Sequence, residues 1–338
     1  MPYRVTELLG DGISAELAAS VRIVLARLPI QVELESIDLS LPNRLQQGDK
    51  IYDEAFASIR ANRFALKYPT TTKHESPNTV LRQLCDFSVI HRPVYTIPGV
   101  PNNFRQELAL NIIRVARGGT YDDPGRSIGT EAAVSLRIVE RRPCWEAARY
   151  GFMLAQRAGK SVTSASKHTI QKATDGLFEA VVTQVAKDFP DVPHHEELFD
   201  ALLAHVVMHP ERFSVIVVLN EYGDFLSDMA CGLAGSMGIG ASSSLSFTSA
   251  GDVDLALFDP AGGTAPDIAG KNICNPTAAL LAVSMMLFEM GERDVAQGLK
   301  SAVLRLLRSG TCTRDLGGTL STTDFSRAVA ETVAMELA

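Results

Sequence analysis

Five consecutive apolar residues, Val215-Ile216-Val217-Val218-Leu219, run directly into Asn220-Glu221-Tyr222-Gly223-Asp224-Phe225-Leu226-Ser227-Asp228. No other stretch limits the fold of this chain as much. A short, β-branched apolar run bounded by polar residues reads as a buried strand. A helix starting near Gly223 puts Asp224 and Asp228, four residues apart, on one face. Like charges held together repel unless a cation lies between them, and hard ions such as Mg²⁺ or Mn²⁺ take carboxylate oxygens. The same pair also serves as an acidic first turn that complements the helix dipole. On spacing alone both readings stand.

A chain of 338 residues can bury a large core and is long enough for two domains. With 46% hydrophobic and 21% charged residues it has a globular composition, and a net charge of −7 argues against nucleic acid as a partner. Its five cysteines are scattered, with no CxxC pair, which fits a reducing compartment and excludes the common zinc spacings. No apolar signal stretch and no run of about eighteen apolar residues occurs, so neither secretion nor a membrane partner is expected. Cytoplasmic is the expected location.

Arg4–Leu9 reads as a strand that turns at Gly10-Asp11-Gly12 into a helix. Tyr68-Pro69-Thr70-Thr71-Thr72 is a polar loop, suited either to a ligand or to solvent. Ser76-Pro77-Asn78 opens a helix, with Ser76 or Asn78 as the cap. Ser76, Asn78 and Arg82 can project from that helix start towards an anion. Arg92 follows in His91-Arg92-Pro93, and Arg114 ends the apolar strand Leu108–Ile113. Three arginines brought to one cleft would clamp a polycarboxylate bidentately; left apart, they would be solvated surface groups. Gly118–Gly125 is a turn-rich excursion, Ser135–Val139 reads as a strand, and Glu196–Met208 as an amphipathic helix carrying Asp200. A last helix is expected to reach Ala338. Gly235–Gly240 is glycine-rich without the GxGxxG spacing. The small residues of Pro260–Asp267 would let a ligand lie against the backbone.

Five blocks resemble one family: Gly10-Asp11-Gly12-Ile13; Ser76-x-Asn78-x-x-x-Arg82 with Arg92-Pro93; Arg114 with Tyr121; Lys167 ahead of Thr174-Asp175-Gly176-Leu177-Phe178; and Asn220-x-Tyr222-Gly223-Asp224-x-Leu226-Ser227-Asp228. Thr264-Ala265-Pro266-Asp267-Ile268-Ala269-Gly270-Lys271, Asn275-Pro276 and Asp315-Leu316-Gly317-Gly318 extend the likeness to nearly the whole chain. The family is that of the isocitrate/isopropylmalate dehydrogenases, metal-dependent β-decarboxylating enzymes, and the pattern is most similar to the NAD-dependent isocitrate dehydrogenase type. The resemblance implies an α/β fold of two domains around a cleft, distinct from the Rossmann fold. Residues 1–95 with 250–338 would form the larger, cofactor-binding domain. Residues 96–249 would form the smaller one, with the metal site, the dimer interface and a clasp arm near 118–142.

By the same resemblance Tyr121 and Lys167 are the catalytic acid–base residues, and Ser76, Asn78, Arg82, Arg92 and Arg114 bind substrate. Thr72, Gly263, Thr264, Ala265, Asp267 and Asn275 bind NAD, while Asp200, Asp224 and Asp228 hold Mg²⁺ or Mn²⁺. Asp200 and Lys167 would come from the neighbouring subunit of a homodimer or tetramer with shared active sites. Asp267 would repel a 2′-phosphate, favouring NAD⁺ over NADP⁺ despite the nearby Arg314. Ser76 and Asn78 match the isocitrate type, which implies a di- or tricarboxylate substrate with an anionic γ-substituent. Lys73 and His74 would add positive charge there, a setting for a phosphonate analogue of isocitrate. The alternatives are homoisocitrate, 3-isopropylmalate or tartrate as substrate, or a non-catalytic regulatory subunit.

Overall fold

The computed structural model describes residues 2–102, 104 and 107–337; Ala338, the expected end of the last helix, lies outside them. The strands are β1 (Tyr3–Leu9), β2 (Val32–Asp38), β3 (Phe64–Lys67), β4 (Val89–Tyr95), β5 (Ala109–Val115), β6 (Arg126–Ile128), β7 (Ala132–Val134), β8 (Val162–Ser166), β9 (His194–Leu198), β10 (Val215–Val218), β11 (Ala241–Phe247) and β12 (Val253–Pro260). Between them lie α1 (Ser14–Leu25), α2 (Leu41–Gln47), α3 (Lys50–Asn62), α4 (Pro77–Leu84), α5 (Arg141–Ala158), α6 (Thr174–Ala186), α7 (Phe199–Met208) and α8 (Asn220–Ala234). Three further helices close the chain: α9 (Thr277–Glu289), α10 (Arg293–Arg308) and α11 (Thr322–Glu336). Among the described residues no helix is long and apolar enough to cross a membrane.

Ten strands form one sheet in the order β2-β1-β3-β12-β11-β4-β5-β10-β8-β9. Two parallel blocks, β2-β1-β3-β12 and β5-β10-β8-β9, are joined through β11 and β4, which pair antiparallel with their neighbours. Every residue of β10 is buried between β5 and β8, as a continuous apolar run in a helix-covered sheet should be. Helix α5 packs close over this block: a Cβ at Gly151 would lie 2.7 Å from Val217 Cγ2. The architecture is two α/β domains flanking a cleft, as expected.

Several elements differ from expectation. The helix expected over Glu196–Met208 begins only at Phe199, because His194–Leu198 is the edge strand β9, parallel to β8. His194-His195-Glu196-Glu197 is polar throughout and carries no apolar alternation by which to read a strand. Ser135–Val139 is not a strand beyond a single bridge between Gly119 and Ile138. The arm's pairing is instead the short hairpin β6–β7, whose side chains are largely exposed. Strands β4 and β11 were not anticipated, since His91-Arg92-Pro93 and Ser242-Ser243-Ser244 interrupt any apolar pattern.

The Gly10-Asp11-Gly12 turn ties three loops together. Asp11 N–H donates to Pro69 O at 2.8 Å and Ile13 N–H to Thr264 O at 3.0 Å. The Asp11 carboxylate accepts from Leu41 N and Thr71 N, each at 2.8 Å. Gly12 has φ of +59°, and a Cβ there would overlap the Thr264 carbonyl. Gly12→Ala should therefore cost on the order of 2–3 kcal/mol in denaturant unfolding. Wild-type stability in that variant would remove the turn from this role.

Candidate active site

Residues of a strand alternate between faces, and the central antiparallel strands use that alternation to build the site. Ile90 and Arg92 of β4, Ser242 and Ser244 of β11, and Leu257 and Asp259 of β12 line one small cavity with Asn78 and Arg82. Arg114, opposite Ile90 on β5, adds a third arginine. The structure thus brings Arg82, Arg92 and Arg114 to one place, as a polycarboxylate clamp requires.

What fixes Arg114 is the start of α8. The Asn220 side chain accepts from Arg114 Nε at 2.9 Å and donates to Gly118 O at 2.9 Å. Gly223 leaves the necessary space, since a Cβ there would lie 2.6 Å from Arg114 Cβ and Cγ. Arg114 forms a close ion pair with Asp224. Arg92 Nη1 reaches Asp224 at 3.3 Å, Asp228 at 3.6 Å and Ser227 Oγ at 2.7 Å. Asp224 and Asp228 do share a helix face, and an arginine stands between them. Burial pushes the Asp224 carboxyl up, but the Arg114 and Arg92 guanidiniums outweigh it and hold it below the ordinary carboxylate value.

Arg82 differs from its neighbours. Its side chain makes no hydrogen bond or ion pair among the described residues. Burial, and then Arg92, lower its pKa, and burial followed by Arg92 brings Arg114 down to about 10. Three desolvated, mutually repelling guanidiniums favour an incoming anion. Arg82 also lines a larger cavity of about 400 Å³ with Thr79, Gln83, Arg117, Thr120 and Tyr121. Tyr121, 44% exposed, donates its hydroxyl to Asp224 Oδ2 at 3.1 Å. Burial and then the Asp224 charge push this phenol up, so it stays protonated.

Ser76 is the cap of α4, its hydroxyl accepting from Thr79 N at 3.3 Å, and Asn78 is exposed in the first turn. Glu75 just before it is held by buried Arg44 and by the Tyr52 hydroxyl.

Lys167 and Asp200 stand apart from this cluster. They pair with each other at 2.6 Å, and no contact joins either to Asp224 or Asp228 among the described residues. Lys167 follows β8, Asp200 follows β9 and Asp224 follows β10, so all three lie at the C-terminal ends of parallel strands. Two strand spacings, roughly 10 Å of backbone, separate β9 from β10 along that edge.

The loops after β1, β3 and β12 meet at one rim. Gly262 and Gly263 face open space, where an added Cβ would meet nothing within 4 Å. Thr72 and Asp267 are exposed, and Ala265 is held at φ +39°, a strained value for a residue with a side chain. Asn275 donates to Asp315 Oδ2 at 2.9 Å beside Gly238. A backbone cradle open along glycines suits a dinucleotide.

Sequence reasoning missed the supports of this site. Buried Asp175 accepts from Lys167 N at 2.7 Å and from the Tyr222 hydroxyl at 3.0 Å. Arg137, at the base of the arm, forms ion pairs with Asp175 at 3.0 Å and Glu221 at 2.9 Å. No spacing rule links these positions.

The model of the isocitrate/isopropylmalate dehydrogenases matches residues 4–329. The chain is 33% identical to the NAD isocitrate dehydrogenase catalytic subunit 5, mitochondrial, of Arabidopsis thaliana, over 98% of this chain and 88% of the relative. It is 35% identical to NAD isocitrate dehydrogenase subunit 2, mitochondrial, of Kluyveromyces lactis (97% and 90% covered), and 33% to the isocitrate/homoisocitrate dehydrogenase of Thermus thermophilus (98% and 98%). Isocitrate dehydrogenase from Methylococcus capsulatus superposes with a TM-score of 0.90 at 33% identity, over 98% of this chain and 99% of the other. The matched subunits include both catalytic and regulatory ones.

The chain belongs to the isocitrate/isopropylmalate dehydrogenase family, and NAD-dependent isocitrate dehydrogenase subunits are prominent among its relatives. It is an oxidoreductase that carries out metal-dependent, NAD(P)-linked oxidative decarboxylation of a 2-hydroxy acid. The cytoplasmic location does not stand, because the isocitrate dehydrogenase subunits it matches from plant and yeasts are mitochondrial. The lack of an apolar signal stretch argued only against secretion, since organellar transit segments are amphipathic and Arg-rich.

The depressed carboxyl of Asp224 has a consequence for acid stability. Its folded pKa lies below the unfolded value of about 3.9, so its contribution is full above that pH and fades as pH falls through the folded pKa. The stability difference between wild type and Asp224→Asn should be largest above about pH 4 and shrink below it. Denaturant unfolding from pH 2 to 7 checks this; a pH-independent difference would contradict the pairing.

Proposed function

We propose that the chain oxidises an isocitrate-like 2-hydroxy acid, a malate with an anionic γ-substituent, using NAD⁺, and releases CO₂ to leave a 2-oxo acid. The observation that carries this reading is Arg82, a desolvated guanidinium without a partner among the described residues, set beside Arg92 and Arg114 and the protonated Tyr121.

In this reading Arg82, Arg92 and Arg114 bind and orient the substrate carboxylates. Asp224 and Asp228, with Asp200 of the partner subunit, would hold Mg²⁺ or Mn²⁺. Their oxygen donors and four-residue spacing fit such an ion. When bound it supplies Lewis acidity at the substrate's 2-oxygen. Arg92 and Arg114, which pair with Asp224, would then be free to turn to carboxylates. Lys167 of the partner subunit takes the proton of the 2-hydroxyl. Tyr121 returns a proton to the carbon that loses CO₂. NAD⁺, the hydride acceptor, would lie along Thr72, Gly263, Thr264, Ala265, Asp267 and Asn275. Asp267, exposed at the rim, disfavours a 2′-phosphate and so supports NAD⁺ over NADP⁺.

The cofactor unit in this reading is residues 1–95 with 250–338, and residues 96–249 carry the metal carboxylates and the subunit contact. Lys167 and Asp200, which pair with each other and touch neither Asp224 nor Asp228 among the described residues, support a site shared between two copies. So do the exposed Ile128, Leu136 and Ile138 of the arm and Phe225 of α8, since an isolated hairpin is marginal in water. Ser76, Asn78, Lys73 and His74 favour an anionic γ-group, such as a carboxylate or phosphonate.

NADH formation with Mn²⁺ and a panel of 3-substituted malates, run with NAD⁺ and NADP⁺ in parallel, tests the assignment. Isocitrate or its phosphonate analogue with NAD⁺ should give the highest kcat/KM; equal turnover of 3-isopropylmalate would reject the anionic γ-subsite. Arg82→Ala should lower kcat/KM on the order of 100-fold. Lys167→Met should abolish turnover while Mn²⁺ binding persists, and turnover retained in that variant would remove Lys167 from the mechanism.

A further inference from the structure

Lys167 is followed by His168, and His168 belongs to a separate cluster on the α6 side of the sheet edge. A ring nitrogen of His168, a carboxylate oxygen of Glu179 and one of Glu196 all lie within 4.8 Å of one another. His168 Nε2 stands 3.1 Å from Glu196 Oε1. Glu179 comes from α6, Glu196 from β9 and His168 from the loop after β8, so three elements converge.

Glu179 is the unusual member. It is 5% exposed, and its Oε1 is buried with no hydrogen-bond partner among the described residues. A native structure rarely leaves a carboxylate oxygen so, given a cost of about 1–3 kcal/mol or more. The surrounding residues are arranged as metal ligands require. Ser164 donates its hydroxyl to Glu179 Oε2 at 2.6 Å, and His194 Nε2 lies 2.9 Å from the same Ser164 Oγ. Ser166 Oγ lies 3.3 Å from His168 Nδ1, a partner for that ring nitrogen when the other ligates. Parallel pairing of Ser164 with Glu196 puts Ser164, Ser166, His194 and Glu196 on one face of the β8–β9 edge. Glu179 and Glu196 both border a surface groove with Trp145, Thr183 and Lys187, which gives an ion a path in.

We propose that His168, Glu179 and Glu196 form a second divalent-metal site, separate from Asp224 and Asp228. One imidazole and two carboxylates suit a transition ion such as Zn²⁺ or Mn²⁺ rather than Mg²⁺, which favours all-oxygen shells and keeps its waters. The ion ties α6 and β9 to the loop that carries Lys167. Asp175 already holds the Lys167 backbone N–H at 2.7 Å, and the metal secures the next residue. The site is therefore structural for the Lys167–Asp200 pair and takes no part in the reaction itself.

The test measures Zn²⁺ and Mn²⁺ binding to the full chain, without substrate or NAD⁺, by equilibrium dialysis with metal analysis. Wild type should bind the ion of this site in addition to one at Asp224 and Asp228, and Asp228→Asn should retain one Zn²⁺ per chain, the ion of this site. Glu179→Gln, which keeps the side chain's shape and its Ser164 contact, should weaken that binding about 100-fold or more. Glu196→Gln, at an exposed position, should do the same in a chain whose unfolding transition is unchanged. In the Asp228→Asn background Zn²⁺ should also raise the Tm, and not once Glu179 or Glu196 is replaced as well, with Mg²⁺ having no such effect. No tight ion in wild type, or undiminished binding in both Glu variants, would overturn the proposal. Loss of the ion in Asp228→Asn alone would assign it to the Asp224–Asp228 site instead.

Discussion

The register of the antiparallel seam β11-β4-β5 is the constraint on which the site depends. Successive side chains of a strand point to opposite faces, so Arg92 enters the cleft while His91 goes to the other side. There His91 bonds to Asn111 at 2.9 Å and to Tyr150 at 3.2 Å, lining a second cavity of about 370 Å³. A one-residue slip would exchange the two faces, burying a guanidinium among apolar groups and placing His91 over Asp224. Burial holds His91 neutral, down to about 4, so it adds no charge behind the arginines. Mixed strand directions also let two parallel blocks share one sheet while their loops meet across a cleft.

Charge arrangement follows from that register. Arg114 is 3% exposed and Arg92 is partly buried, a state sustained only because Asp224 answers them. Asp224 in turn draws Tyr121 from the arm, and Asn220 joins Arg114 to the arm's base. A second buried set, Arg137 with Asp175 and Glu221, anchors the other end of the arm and stacks Arg137 over Tyr222 at 4.9 Å. The arm is therefore fixed where it meets its own chain, while the β6–β7 tip stays exposed. Removing one partner from either set leaves an uncompensated buried charge, which is more damaging than the pair is stabilising.

Much of this was legible in the residues themselves. Val215–Val218 of the apolar run is a fully buried strand, Asp224 and Asp228 share a helix face, Ser76 is a cap and the Gly10-Asp11-Gly12 turn joins β1 to α1. In each case a local rule, such as apolar periodicity, cap chemistry or a turn glycine, operates within a few residues. Local rules failed where a polar segment became a strand through its neighbour alone. His194–Leu198 pairs with β8 although nothing in its pattern says strand, and β4 and β11 are interrupted by charge and by serines.

The sequence by itself determined the strand–helix unit that carries the two aspartates, the three arginine positions, and the family to which they belong. Only the tertiary structure decided that Arg92 rather than His91 enters the cleft, that Arg92 and Arg114 close on Asp224 while Arg82 stays open, and that Lys167 pairs with Asp200 of the adjacent strand's end. It alone brings His168 against Glu179 and Glu196. The physical reason is the same in each case. These contacts are set by sheet order and register between segments far apart in the chain, whereas periodicity reports only what one segment buries.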